Sequence, residues 1–443
     1  MGKFTYAIKT MGCKANIYDS LLIERELQDI GGLRGGPDCA PDLFVLNSCT
    51  VTAEADRQAH REVNQVKKHS PETWTLVTGC LAQVATDKVR ENANVDQVLP
   101  NDAKSRLQQT VAARFGIELA STGPDPEIYW GQLPVEVGKT RAFVKIQEGC
   151  NDFCTYCIIP YARGKSRSVR TGLVLAEVQR LADLGVHEVV LTGTNIGDFG
   201  LEFDSCLEEL IEAILERTSI PRLRLTSLDP SEITDRILNM MGPGSRLMPH
   251  FHVSLQSPVS RVLRAMKRDY RTEEVIDALN RIHQHNPEIF VGMDVIAGFP
   301  SETDAEHREG MEVLERLPWT RLHVFPYSER EGTPATRIPG SVAIPERRKR
   351  AAELSALSKI RHEQFVGRFF NREVTDVLFE NWYEAGGDYF AVGHAANYLR
   401  VMARVPSRTR AEAEAMHQRI GRARIVGASP KPLHDWTLEG VLT

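Results

Sequence analysis

The sequence predicts an α/β protein in three parts. These are an N-terminal α/β domain with a parallel sheet, a central partial (βα)6 barrel and a small C-terminal β-barrel of oligonucleotide-binding type. Three observations carry this. Buried-strand patterns alternate with amphipathic helical stretches over the first hundred residues. The alternation then repeats six times between residue 140 and about residue 330. After Gly367 only short strand patterns remain. A chain of 443 residues, 42% hydrophobic and 26% charged, has room for all three.

In the N-terminal part, Phe4–Lys9 reads as a strand leading to Met11-Gly12-Cys13. A helical stretch with Ile23, Leu27 and Ile30 at helix spacing follows. Asp42–Asn47 is a buried-strand pattern ending at Ser48-Cys49-Thr50. The next helix carries Ala55, Ala59, Val63 and Val66 on one face. Trp74–Thr78 is the third strand, ending at Gly79-Cys80. Cys13, Cys49 and Cys80 thus each fall just past the carboxyl end of a strand. In an open parallel sheet those ends share one edge, where ligands bind, so the three are expected to converge. A single free cysteine is most often a small buried hydrophobe. Three at equivalent positions, each preceded by Gly or Ser, point to ligands instead. Cys39 and Cys206 show no such placement and read as structural.

No apolar run approaches the length that crosses a bilayer, so no membrane partner is expected. The opening Met-Gly-Lys-Phe-Thr-Tyr lacks the apolar core of a signal peptide, which predicts a cytoplasmic protein. In a reducing compartment the eight cysteines are metal ligands, reactive thiols or core residues rather than disulfides. The net charge of −5 does not announce a nucleic-acid binder. Residues 341–443, however, carry sixteen Lys and Arg against twelve Asp and Glu. A basic tail on an acidic body fits a local anionic partner.

The expected domain limits are 1–115, a linker over 116–139 with turn chemistry at Ser121–Pro126, 140–366 and 367–443. The middle part shows strands near Ala142–Gln147, Glu188–Thr192, Arg222–Thr226, Phe251–Leu255, Ile289–Ile296 and Arg321–Phe325. Helices are expected at Ala176–Leu184, Ser231–Met241, Thr272–His285 and Asp304–Leu317. Six units suggest a partial barrel, with an eight-unit barrel as the alternative by count. Either way, chemistry belongs at the carboxyl ends of the strands.

The first of those ends carries Gly149-Cys150-Asn151-Asp152-Phe153-Cys154-Thr155-Tyr156-Cys157. A C-x3-C-x2-C loop supplies three soft thiolates, which suit an iron–sulfur cluster or zinc. Three ligands leave one position without a local protein donor. If the loop holds a 4Fe–4S cluster, one iron is open to a substrate or cofactor. The other ends carry Thr192-Gly193-Thr194-Asn195, Thr226-Ser227-Leu228-Asp229, Ser254–Pro258, Asp294–Pro300 and Phe325-Pro326-Tyr327-Ser328. Glycines permit close backbone approach, and Ser, Thr, Asn and Gln offer hydrogen bonds. Each alone is ordinary turn chemistry. Together on one rim they describe a polar cofactor pocket.

The Cys150/Cys154/Cys157 loop after a first barrel strand resembles that of the radical S-adenosylmethionine enzymes. The resemblance implies that the open iron is chelated by S-adenosylmethionine, whose reductive cleavage yields a 5′-deoxyadenosyl radical. It also implies that Asp294 and Gly298 lie in the segment holding the adenine. Gly193, Asn195 and Ser227 would lie near the methionine and ribose, and Phe325 would be at the pocket rim. Met11-Gly12-Cys13-Lys14-Ala15-Asn16, Asn47-Ser48-Cys49-Thr50-Val51-Thr52 and Thr78-Gly79-Cys80 resemble the ligand motifs of the methylthiotransferases. So do Gln147–Cys150, Ile159-Pro160-Tyr161-Ala162-Arg163-Gly164 and Phe325–Ser328. The resemblance implies a flavodoxin-like N-terminal domain whose Cys13, Cys49 and Cys80 hold a second, sulfur-delivering 4Fe–4S cluster. It is strongest to the branch acting on N6-threonylcarbamoyladenosine at position 37 of tRNA. The isopentenyladenosine branch and the branch modifying a ribosomal-protein aspartate are the alternatives. An electron donor such as a flavodoxin or ferredoxin, and a sulfur source, are implied partners. Pro258 and Thr226 stand where the family pattern has glycine and serine.

Beyond the barrel, Pro345-Glu346 opens a basic helix, Arg347-Arg348-Lys349-Arg350. Short strands follow at Arg372–Leu378, Tyr389–Val392, Tyr398–Val405 and Gly421–Gly427. This part resembles the TRAM module, which contacts RNA. Tyr389, Phe390, Tyr398 and Arg400 are candidates for base stacking and charge, and Arg347, Arg348 and Lys349 for phosphate contacts. A non-catalytic, metal-stabilised RNA-binding protein is the competing class. A structural zinc site is closed by four ligands, whereas both cysteine sets here stop at three.

Overall fold

The structure, a computed structural model, describes residues 3–36, 40–119, 129–133, 140–242, 244–430 and 436–443. Cys39 and Ser121–Pro126 lie outside the described residues. The N-terminal sheet has five parallel strands: β1 (Phe4–Thr10), β2 (Gly32–Arg34), β3 (Leu43–Ser48), β4 (Trp74–Gly79) and β5 (Gln97–Pro100). Their order is β2-β1-β3-β4-β5, the flavodoxin-like order, which reverses direction between β1 and β3. Every residue of β3 is buried, as a central parallel strand requires. The helices α1 (Lys14–Asp29) and α2 (Ala53–His69) follow β1 and β3. Thr52 caps α2 by accepting from Ala55 N–H. The strands β2 and β5 were not expected. Each is only three or four residues long, too short for a period to show.

The six expected barrel strands are present, all parallel and in chain order. β6 (Arg141–Lys145) is followed by a two-residue hairpin, β7 (Gln147–Glu148) with β8 (Arg167–Ser168), which brackets the cysteine loop. Then β9 (Glu188–Thr192) and β10 (Arg222–Leu225) complete a sheet of order β10-β9-β6. At Thr226 the chain passes into a second sheet: β11 (Ser227–Leu228), β12 (His250–Gln256), β13 (Phe290–Ala297) and β14 (Arg321–Pro326). Among the described residues no further strand extends it toward eight units. The helix expected at Ser231–Met241 is a 3-10 turn, Pro230–Glu232, and a short helix, Asp235–Asn239. Thr234 restarts the helix by accepting from Ile237 N–H, which breaks the single long stretch.

The apolar residues of the barrel strands join the core under the surrounding helices, whereas the opposite strand faces are charged. Glu188 pairs with Arg141, Arg222 and Arg224 from the two strands beside it. His252 Nε2 lies 2.9 Å from Asp294 Oδ1, and the His252 ring stacks on His323 at 5.1 Å.

The C-terminal strands β15 (Glu373–Ala385), β16 (Asp388–Ala395), β17 (Arg400–Arg404), β18 (Arg419–Pro430) and β19 (Trp436–Leu442) form a closed barrel, ordered β15-β16-β17-β19-β18. Closure removes the sheet edges. The long helix Ile344–Gly367 leads into it, and its Phe365 and Val366 enter the barrel core with Phe290 of β13. Arg347 was expected at a phosphate. It is instead buried, donating to the carbonyls of Val342 and Tyr327 and to Glu329. It shares that face with Arg350, which is buried against Glu302 and Asp304 one turn on. Arg348 and Lys349 are exposed. Among the described residues no helix is long and apolar enough to cross a membrane.

Candidate active site at the junction of two cysteine sets

The turns after β1, β3 and β4 meet at the edge where the strand order reverses. Cys13 ends the first turn and stands at the N-cap of α1. Gly12, at φ +89°, lies so close to Cys49 that a Cβ on it would be 2.7 Å from the Cys49 Sγ. Cys80 opens the short helix α3 (Cys80–Val84), and the Asn101 side chain lies 3.7 Å from its sulfur. Burial, with smaller contributions from the nearby Cys80 and Cys13, pushes the Cys49 thiol up to about 11. The convergence expected from the strand ends is therefore present.

The second set lies on the loop after β7. Gly149, at φ +80°, is obligatory there. A Cβ would sit 2.0 Å from the Lys165 carbonyl oxygen across the hairpin. Cys150 and Cys154 are buried and Cys157 is half-buried. Burial raises all three thiols, Cys157 to about 12. Arg268 opposes this at Cys154, donating to its sulfur at 3.1 Å while ion-paired to Asp229. No group of three His, Cys, Asp or Glu side chains among the described residues closes up around a single ion position. Thiols held protonated by burial give up their protons when soft metal binds, so metal loading here is coupled to proton release.

A buried charge network ties the two sets together. Arg163, six residues past Cys157, donates to Glu148 at 2.5 Å, to Asn16 Oδ1 at 2.5 Å and to Asp19 at 3.2 Å. Asp19 also accepts from Lys104 at 2.8 Å and Lys145 at 2.7 Å. All five charged members are 6% exposed or less. Three cations face two carboxylates, leaving one positive charge in surplus. Arg163 also feels the sulfurs of Cys80 and Cys13. A buried cation beside thiolates suits an anionic cluster, so the donor set and its surroundings fit a cysteine-ligated iron–sulfur group. A second tie runs from the loop after β14. Arg330 pairs with Asp56 at 2.7 Å and bonds the Thr50 hydroxyl, next to Cys49.

The comparisons with known proteins converge on the same place. Residues 144–314 match the Radical SAM superfamily, and residues 5–100 match Uncharacterized protein family UPF0004. The threonylcarbamoyladenosine tRNA methylthiotransferase MtaB of Bacillus subtilis is 32% identical over 405 residues, covering 90% of each chain. The chain belongs to the radical SAM methylthiotransferase family. The tRNA-2-methylthio-N(6)-dimethylallyladenosine synthase of Staphylococcus saprophyticus is 30% identical, over 79% of this chain and 71% of that one. The solved radical S-adenosylmethionine methyltransferase TsrM from Kitasatospora setae aligns at TM-score 0.55 and 16% identity. It covers 76% of this chain and 77% of that one, a likeness of fold alone.

In this methylthiotransferase the remaining rim residues divide. Gly193 lies where a Cβ would meet the Gln147 side chain at 2.8 Å. The Gln147 side-chain carbonyl oxygen accepts from Thr194 and Asn195 N–H, both at 2.9 Å, fixing that turn beside the cysteine loop. Ser227 opens β11 at the break between the two sheets. The Gly298 N–H is already committed to Glu302 Oε2 at 2.9 Å. Asp294 pairs with His252 below the rim, and Phe325 is exposed above it. Of the RNA candidates, Arg400 is exposed, but Tyr398 turns inward at φ +70°. Its ring lies 4.7 Å from the Arg224 guanidinium and stacks on His394 at 4.9 Å. Tyr389 and Phe390 are half-buried on β16, beside Trp382 and Tyr383 of β15, two aromatics sequence reasoning missed.

The missed site residues are Asp19, Lys104, Lys145, Glu148, Arg163 and Arg268. Glu148 and Arg163 stood inside motifs flanking the cysteine loop. Asp19 and Lys104 carried no sequence signal.

Proposed function

We propose that this enzyme inserts a methylthio group at C2 of N6-threonylcarbamoyladenosine at position 37 of tRNA. Cys150, Cys154 and Cys157 hold one 4Fe–4S cluster, completed by S-adenosylmethionine, and Cys13, Cys49 and Cys80 hold a second. The observation that carries this is the junction itself. Two three-cysteine sets from separate sheets are tied through one buried guanidinium, Arg163, which bonds Asn16, three residues past Cys13, and Glu148, two residues before Cys150. The reduced cluster with its bound cofactor supplies a hydrogen-abstracting radical, and S-adenosylmethionine also supplies the methyl group. The protein's part is positional. Gln147 fixes the Gly193–Asn195 turn, Arg268 holds Cys154, and Arg163 with Asp19 keeps the two cysteine sets in register. The C-terminal barrel, with the half-buried aromatics of β15 and β16 and the exposed Arg348, Lys349 and Arg400, supports tRNA binding. A flavodoxin- or ferredoxin-type electron donor and a sulfur source complete the cycle in the cytoplasm.

The test is mass spectrometry of tRNA nucleosides from a deletion strain, which should lose the methylthio mark on threonylcarbamoyladenosine. Loss of the mark on dimethylallyladenosine, or on a ribosomal protein, would transfer the enzyme to that substrate. Reconstituted enzyme should hold about eight irons. Cys154→Ala should abolish deoxyadenosine formation, whereas Cys49→Ala should keep it and stop sulfur insertion. Equal loss in both variants would refute the division of labour.

A further inference from the structure

Below the cysteine junction the charged barrel faces enclose a cavity of about 470 Å³, within the size range of ligand sites. It is lined by Lys14, His250, His252, Arg321, His323 and, from the C-terminal barrel, Tyr398 and Arg400, among others. Lys14 directly follows Cys13, so the cavity begins one residue from the N-terminal cysteine set. Its ammonium is half-buried and makes no hydrogen bond or ion pair among the described residues. Burial, and then the nearby Arg224 and Arg141, pull its pKa down, against the opposing charges of Asp294 and Glu188. Of the carboxylates nearby, Glu188 is held by three arginines and Glu380 by Arg141 at 2.7 Å and His394 at 3.1 Å, while Asp294 lies 2.9 Å from His252 Nε2 and forms no ion pair with Lys14. His250, 6% exposed, has its Nδ1 buried without a partner. The cavity therefore keeps a cation and a polar nitrogen with nothing to satisfy them, beside further arginines. An apolar substituent placed there would leave both desolvated, at a cost; a carboxylate would answer them.

We infer that this cavity is the specificity pocket for the substrate's N6 substituent, with Lys14 pairing to the carboxylate of the threonyl group and His250 offering a further polar contact. The inference rests on the proposed threonylcarbamoyl substrate and says how the enzyme tells it from an uncharged N6 alkyl group. A site built to satisfy a polar group rejects analogues lacking it far more strongly than an apolar pocket rejects a misfit.

The experiment uses reconstituted full-length enzyme and anticodon stem-loops. One carries threonylcarbamoyladenosine, one carries the same nucleoside with its carboxylate converted to a primary amide, and one carries dimethylallyladenosine. Wild-type activity on the first is established before any comparison. If the enzyme modifies only the dimethylallyl stem-loop, the substrate assignment itself is wrong and this inference falls with it. Given activity, the amide should lower kcat/KM by about 10- to 100-fold, the worth of one hydrogen bond to a charged group. Lys14→Met should show a loss of similar size on the carboxylate substrate and almost none on going to the amide, because the two changes remove one interaction. Lys14→Arg should restore most of the activity. The loss should appear in KM and in stem-loop affinity. An amide penalty below threefold in the wild-type enzyme, or an equal penalty in Lys14→Met, would overturn the inference. The wild-type comparison needs no variant, so it stands even if Lys14→Met loads iron poorly.

Discussion

Asp19→Asn is the sharpest test of the junction. The carboxylate is fully buried and is the shared partner of Lys104, Lys145 and Arg163 at 2.8, 2.7 and 3.2 Å. Burial by itself would raise its pKa. Lys104, Lys145 and Arg163 together outweigh that and hold it well below the usual carboxylate range. The amide would leave Lys145 and Arg163 sharing Glu148, and Lys104 with no carboxylate in contact among the described residues. Breaking a buried ion pair by removing one partner costs about 3–5 kcal/mol, because the remaining charge stays desolvated. That is the expected loss in urea unfolding of the metal-free protein at pH 7. The pH dependence has a definite sign. A depressed folded pKa contributes stability that is fully present above the ordinary aspartate value of about 3.9 and is lost as pH falls below it. The gap between wild type and Asp19→Asn should therefore be constant from neutrality to about pH 5 and close in stronger acid. A variant within 1 kcal/mol of wild type at pH 7, or a gap that does not close, would refute the structural role given to this network.

Two further outcomes follow from single residues. Gly149→Ala places a methyl group against the Lys165 carbonyl at a positive φ, so the C-x3-C-x2-C loop should fail to hold metal. Iron per chain should fall by about half, as expected for one of two four-iron clusters, with the auxiliary absorbance retained. Burial pushes Glu26 up to about 8, Asp29 adding to the rise against the pull of Tyr129, Lys104 and Arg25. A carboxyl whose folded pKa is raised loses stability as pH climbs from its ordinary value toward the folded one. Glu26→Gln should therefore gain on wild type between pH 5 and pH 8.5 by more than about 1 kcal/mol, read from chemical unfolding at both values. An unchanged difference would mean that Glu26 is solvated.

The parts of the site legible in the sequence were those whose chemistry coincides with a periodicity boundary. Cys13, Cys49 and Cys80 could be placed together from the strand pattern alone, because a parallel sheet gathers its strand ends on one edge. The observed β2-β1-β3-β4-β5 order puts the first two at its reversal point. What stayed hidden was charge. Asp19 and Lys104 are 85 residues apart and sit amid ordinary helical polar patterns, where a charge is a solvated one by default. Arg347 misled for the mirror reason. Four successive basic residues look like one surface, but a helix turns 100° per residue, and here two of the four face inward. Burial of a charge depends on which partner arrives from another domain, and periodicity carries no information about that. The network then does more than join domains. Its five members carry a net charge of +1, with Arg163 set against Cys80 and Cys13. A 4Fe–4S cluster in its 2+ state with three thiolates carries about −1. The surplus charge of the clamp would thus match that of the cluster proposed at Cys13, Cys49 and Cys80. The metal-free protein should accordingly be strained at this spot, and cluster loading should raise the stability of the domain junction as well as create the site.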